Sequence, residues 1–86
     1  MSKTIHRTEY RVLLKLLKEH RVQAGITQTA CSTALGRSQS FVSDIERGVR
    51  RLDLVELKDI CAVLKISLVR FVEEFEQALP RRHKRN

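Results

Sequence analysis

Residues 27–48, TQTACSTALGRSQSFVSDIERG, decide the fold of this chain. Two short helical patterns lie here, over residues 28–35 and 39–47. Thr27 stands before the first pattern and Ser38 before the second, and a threonine or serine at that place can cap a helix N-terminus. Gly36 lies between the patterns and supplies the positive φ that a sharp turn needs. The stretch therefore predicts two helices joined by a tight turn.

The inward face of this helix pair is apolar and its side chains are small or aliphatic. The inward positions follow helical spacing: Cys31, Leu35, Ile45 and either Phe41 or Val42. Ser32 lies beside them and is small enough to let another helix approach closely. The two helices are thus expected to bury one face each against the rest of the chain.

Three more helical patterns flank this pair. Thr8 is the expected cap of a helix ending near residue 24, Asp53 of a helix ending near Leu64, and Ser67 of a helix ending near Leu79. Pro80 stops the last pattern. The chain is therefore predicted to be all-α, with five helices in an orthogonal bundle over residues 8–79, a flexible arm over 1–7 and a basic tail over 80–86.

The positive charge is concentrated in two parts of the chain. The 86 residues carry a net charge of +7 at pH 7 and form one domain by length. Residues 1–51 hold +6, residues 52–79 hold −3, and residues 80–86 hold +4. A basic face of this kind suits a polyanion, most commonly nucleic acid.

The two cysteines, Cys31 and Cys61, stand thirty residues apart among apolar helical neighbours. Free buried thiols in a reducing compartment are the expected state, with a disulfide as the less favoured alternative. No apolar run approaches 18 residues and no signal peptide begins the chain. The expected location is therefore the cytoplasm.

The motif in the central stretch resembles the Cro/C1-type, XRE-like helix-turn-helix proteins, over about residues 13–75. Gln28 opens the first helix of the pair, Gly36 follows eight residues later, and Ile45-Glu46-Arg47-Gly48 closes the second. Apolar residues stand three, seven, fourteen and seventeen positions after the glutamine: Cys31, Leu35, Val42 and Ile45. Two positions depart from the pattern. The family usually has an apolar residue where this chain has Arg37, and a leucine where it has Cys31.

The resemblance implies a lambda-repressor-like DNA-binding domain that acts as a sequence-specific, repressor-like transcriptional regulator. Its recognition helix, residues 39–47, would lie in the major groove. The residues expected at base edges are Gln39, Ser40 and Asp44, with Ser38 and Ser43 beside them. Those expected at phosphates are Gln28, Arg37, Arg47, Arg50 and Arg51. Phe41 is left open between a thymine methyl and the core. Arg21 is expected to form a salt bridge with Glu46 that orients the recognition helix.

Double-stranded DNA with a palindromic operator is the expected partner, bound by a homodimer through helix 5. The alternative for helix 5 is that Phe71 and Phe75 complete the monomer core. A second reading is an antitoxin-type protein-binding module that also binds DNA, and a third is a bundle that has lost DNA binding. No catalytic set, membrane segment, cofactor site or small-molecule site is indicated. His6, His20 and His83 lack metal-ligand spacing.

Overall fold

A computed structural model of the chain describes residues 7–80. Over these residues the chain forms five helices and no strand, which confirms the predicted all-α fold. The helices are α1 (Thr8–Gln23), α2 (Gln28–Ala34), α3 (Phe41–Glu46), α4 (Leu54–Val63) and α5 (Leu68–Ala78). The predicted arm and basic tail lie outside the described residues, apart from Arg7 and Pro80.

Three of the predicted helix caps are present. The side chain of Thr27 accepts a hydrogen bond from the Ala30 N–H at 3.0 Å. Asp53 forms a reciprocal capping box with Glu56 at the start of α4, which satisfies two backbone donors at once. Ser67 caps α5. The predicted cap at Thr8 is wrong, because Thr8 is the first helical residue and Arg7 occupies the cap position without a side-chain hydrogen bond.

The third helix begins two residues later than predicted, and Ser38 does not cap it. The N–H of Phe41 bonds the carbonyl of Ser38 at 3.0 Å, which is a turn and not an α-helical bond. The next N–H, that of Val42, donates to Oγ of Ser32 on α2 at 3.0 Å and not to a carbonyl of the preceding turn. This tertiary bond competes with the helical one, so Gln39 and Ser40 lie in a turn ahead of α3.

The tight turn after α2 depends on glycine for its backbone conformation. Gly36 has a φ of +70°, in the left-handed region that other residues enter only with strain. A Cβ built on Gly36 would meet no atom within 4 Å. The glycine is therefore required by its backbone angle and not by lack of space.

One aliphatic core joins all five helices. Its most buried side chains include Leu17, Cys31, Ile45, Ile60 and Phe71, one from each helix and each 2 % exposed or less. Phe71 thus belongs to the monomer core, whereas Phe75 is only partly buried, so the alternative that both complete the core is confirmed for Phe71 alone. Both cysteines are free and buried. α3 packs against α1 and α2, so the core holds the helix-turn-helix in place from its inner side.

Candidate nucleic-acid interface

A polar hollow lies between the start of α2 and the turn that precedes α3. Its lining consists of uncharged polar residues only: Gln28, Thr29, Ser38, Gln39, Ser40 and Ser43. The tight turn at residues 35–36 brings the two segments together. Such side chains offer both donors and acceptors, which is what base edges and phosphate oxygens require. The structure thus unites five residues that the sequence assigned to one interface and adds Thr29.

The predicted ion pair between Arg21 and Glu46 is present and is largely excluded from solvent. Nε and Nη2 of Arg21 donate to the two carboxylate oxygens at 2.7 and 3.0 Å, a bidentate geometry. The side chains of Arg21 and Glu46 are 10 % and 4 % exposed. The hydrogen bond and charge of Glu46 raise the pKa of Arg21 above its ordinary value, although burial opposes the rise. The guanidinium therefore stays charged.

Gln28 belongs to the same network. Its Nε2 donates to Oε1 of Glu46 at 2.9 Å, while Nη1 of Arg21 donates to the carbonyl of Ile26 at 2.8 Å. One carboxylate on α3 thus holds α1 through Arg21 and the first residue of α2 through Gln28. The amide of Gln28 is fixed at the edge of the polar hollow before any ligand arrives.

The outward face of α3 carries an ion pair of its own. Nη2 of Arg47 lies 2.8 Å from Oδ1 of Asp44, one turn earlier, and both side chains are accessible. Oγ of Ser43 donates to the carbonyl of Ser40 at 3.0 Å. The acidic residue among the expected base readers is therefore neutralised locally by an arginine.

Phe41 lies inward, with 5 % of its surface exposed, so the outward placement considered from the sequence is wrong. Two guanidiniums flank its ring, with the central carbon of Arg37 at 4.1 Å and that of Arg50 at 4.7 Å from the centroid. Both arginines pair with Glu56, at 3.6 and 3.1 Å. We call these four residues the arginine–phenylalanine cluster. Two arginines expected at phosphates therefore already have protein partners.

Glu56 is the residue of this cluster that sequence reasoning missed. The Arg50 side chain, and then the backbone N–H of Asp53, hold the pKa of Glu56 below its ordinary value. The sequence predicted only Asp53 as a helix cap, and nothing in the spacing linked Glu56 to Arg37 or Arg50. Arg51 lies elsewhere, in a hollow beside Tyr10.

Residues 7–80 contain neither a metal-ligand cluster nor a membrane-spanning helix. No group of three or more histidine, cysteine or acidic side chains in this part of the chain is arranged to hold a metal ion. None of its helices combines the length and apolar character needed to cross a membrane.

Comparison with known proteins gives a family match and several structural matches. The family model described as helix-turn-helix matches residues 17–71. An XRE-family-like protein from Pseudomonas syringae pv. tomato str. DC3000 is 44 % identical, with a TM-score of 0.81 over 91 % of this chain and 95 % of that one. No curated protein matches at a significant level.

Two further solved structures are similar. A single-site mutant of the restriction-modification controller protein C.Esp1396I is 27 % identical, with a TM-score of 0.74 over 83 % of this chain and 90 % of that one. The clp gene regulator ClgR from Corynebacterium glutamicum is 22 % identical, with a TM-score of 0.73 over 84 % of this chain and 77 % of that one. At that identity the last match concerns the fold alone.

Proposed function

Because this chain belongs to the Cro/C1-type, XRE-like helix-turn-helix family, we propose that it recognises one specific duplex DNA sequence as a repressor-like regulator. The family places it among DNA-binding transcriptional regulators. The observation that carries the finer proposal is the polar hollow, where uncharged hydrogen-bonding side chains meet at the start of α3. Sequence is read at base edges, and this kind of surface suits that task.

In the proposed complex, α3 and the turn before it enter the major groove. Gln39 and Ser40 are exposed in that turn and lead into the groove. Gln39 can contact N6 and N7 of adenine together, whereas the Ser40 hydroxyl accepts or donates and so specifies weakly. Asp44 can accept from N4 of cytosine if Arg47 releases it to bind a phosphate.

Phosphate contacts are assigned to residues beside α3. Gln28 retains a second Nε2 hydrogen after bonding Glu46, and it stands at the first residue of α2. Arg47 is exposed at the end of α3. Arg37 and Arg50 would reach phosphate only by leaving Glu56, so we assign them first to the support of Phe41. Arg51 remains a candidate phosphate contact after α3.

We further propose that the regulator binds a palindromic operator as a homodimer. Two recognition helices about 34 Å apart would read successive turns of the duplex. Exposed apolar side chains on α4 and α5 support an interface on that side of the molecule: Leu54, Val55, Val69 and Val72. Sedimentation equilibrium should give about twice the 10.0 kDa chain mass at micromolar concentration. A mass of one chain would refute the dimer.

The sequence-reading proposal is tested by selecting bound sequences from a random duplex library. The wild type should enrich one site with two related halves. Gln39→Ala should lose discrimination at one base pair, by about 1–3 kcal/mol, a factor of roughly 5 to 160. Gln77→Ala is the matched control, since Gln77 is an exposed glutamine on α5. Failure of the wild type to enrich any sequence would refute the proposal.

A further inference from the structure

Three cationic side chains of α1 share one face of that helix. Arg11, Lys15 and Lys18 are spaced four and three residues apart, which places them on one stripe. They line a groove of about 340 Å³ whose opposite wall contains Arg47 and Gly48, at the end of α3. We call this the basic groove. Its position is next to the end of α3, whereas the polar hollow lies at the start of α3.

The basic groove is more than a solvated helix face, because residues of α1 and residues at the end of α3 line it together. The remaining lining residues are Leu14, which belongs to the core, and Glu46. Among residues 7–80, Glu46 is the only acidic residue that lines the groove, and its carboxylate already accepts hydrogen bonds from Arg21 and Gln28. The groove thus presents the three cations of α1, together with Arg47, which is paired with Asp44 at 2.8 Å, against one carboxylate that Arg21 neutralises.

Within residues 7–80, the three cations of α1 are at most weakly paired with other residues. Lys15 pairs with Glu19 at 3.8 Å, where the two side chains are 79 % and 51 % exposed, and such surface pairs contribute little. Arg11 and Lys18 form no ion pair within residues 7–80. Their positive charge is therefore available to an external anion.

We infer that the basic groove is a second phosphate-binding site, one that holds the DNA backbone beyond the end of α3. The inference rests on the proposed DNA binding. Gln28 bonds Glu46, the residue before Arg47, so Gln28 and Arg47 lie beside the same end of α3. A phosphate strand that passes Gln28 and Arg47 can therefore continue along α1 in the basic groove. Long lysine and arginine side chains reach backbone phosphates without reading bases.

The test is the salt dependence of DNA binding. Each phosphate contact contributes about 0.9 to the slope of log affinity against log salt concentration. The triple variant Arg11→Gln, Lys15→Gln, Lys18→Gln should therefore lower the slope by about 2.7. Fluorescence anisotropy from 50 to 300 mM salt, roughly the range over which such slopes are measured, supplies the affinities. The probes are the duplex that the wild type enriches and a shuffled duplex of the same composition.

The matched control removes the same charge from the opposite half of the sequence. Lys58→Gln, Lys65→Gln, Arg70→Gln changes three exposed cations on or next to α4 and α5, none of which lines the groove. This control should keep a slope close to the wild-type value. The preference for the enriched over the shuffled duplex should stay unchanged in both triple variants, since phosphate contacts carry no sequence information.

Each other outcome has a distinct meaning. An unchanged slope in the groove variant, or an equal fall in both triple variants, would overturn the basic groove as a phosphate site. In the second case the cause would be the general field of the protein. If the groove variant failed to fold, Lys18→Gln alone should lower the slope by about 0.9, and no change would again refute the site. Failure of the wild type to bind any duplex would refute the proposed function itself.

Discussion

Replacing Glu46 by glutamine should destabilise the domain by several kcal/mol. The substitution keeps the size of the side chain but removes the charge that Arg21 faces across 2.7 and 3.0 Å. Because only 10 % of the Arg21 side chain is exposed, water cannot replace the lost carboxylate. Breaking one side of a buried pair costs about 3–5 kcal/mol. We expect about 3 kcal/mol, the lower end, because the Ile26 carbonyl still accepts from Arg21.

Urea unfolding at pH 7 measures this loss, and a double-mutant cycle assigns it to the pair. Arg21→Met removes the charge of Arg21 while keeping its apolar stem, so it should cost a similar amount by leaving the Glu46 charge buried with no cation beside it and only Gln28 as a side-chain donor. The double variant should lose less than the sum of the two single losses. Glu19→Gln is the control, because its pair with Lys15 is exposed and should contribute about 0–1 kcal/mol.

The reasoning would be refuted by a loss of less than about 1 kcal/mol for Glu46→Gln, the level of a surface pair. It would also be refuted by strictly additive single and double variants. A large destabilisation together with unchanged DNA affinity of the folded variant would leave the pair as a stabilising contact. It would contradict our prediction that the pair orients α3.

Three other substitutions test separate features. Glu56→Gln should weaken the domain at pH 7, because the folded state stabilises the ionised carboxylate of Glu56, as its lowered pKa indicates. The variant should also lose less stability than the wild type as pH falls below about 4.5, and thermal melts from pH 3 to 7 measure this. Burial raises the pKa of Cys61 to about 11, so stability should fall as pH rises from 9 towards 11, and in urea unfolding Cys61→Ala should fall less steeply. An equal pH dependence in wild type and variant would contradict either expectation. Ser32→Ala should cost about 1–3 kcal/mol in urea unfolding, because it leaves the buried N–H of Val42 without an acceptor, and a loss no larger than that of the partly exposed control Ser43→Ala would refute it.

The sequence predicted the helices well because helical spacing, capping residues and left-handed glycines are local signals. Thr27, Asp53 and Ser67 cap their helices through residues three positions away. The start of α3 could not be predicted in that way. It depends on the bond between Val42 and Ser32, ten residues apart, and Ser32 was read only as a small residue.

In the candidate site, too, local spacing identified some residues, whereas contacts between distant parts of the chain were missed or were expected only from the family resemblance. The polar hollow follows from a motif of fixed spacing, so its members were identified from the sequence. The Arg21–Glu46 pair joins distant helices, and it was expected only from the family resemblance. The arginine–phenylalanine cluster was missed because Glu56 comes from α4 and its partners come from the turn and the loop on either side of α3. A spacing pattern does not report which loop arginine meets which distant carboxylate.

The shortness of α3 has a consequence for engineering. Six residues are too few to hold a helix in water, and isolated helices shorter than about 12 residues are marginal even with favourable sequences. The conformation of α3 is imposed by Ser32 of α2, by Arg21 of α1, and by Arg37, Arg50 and Glu56, which pack around Phe41 from α4 and from the segments on either side of α3. A peptide copy of residues 39–47 would therefore not form a stable helix in water. Moving this proposed DNA-reading surface to another scaffold would require transplanting those contacts with it.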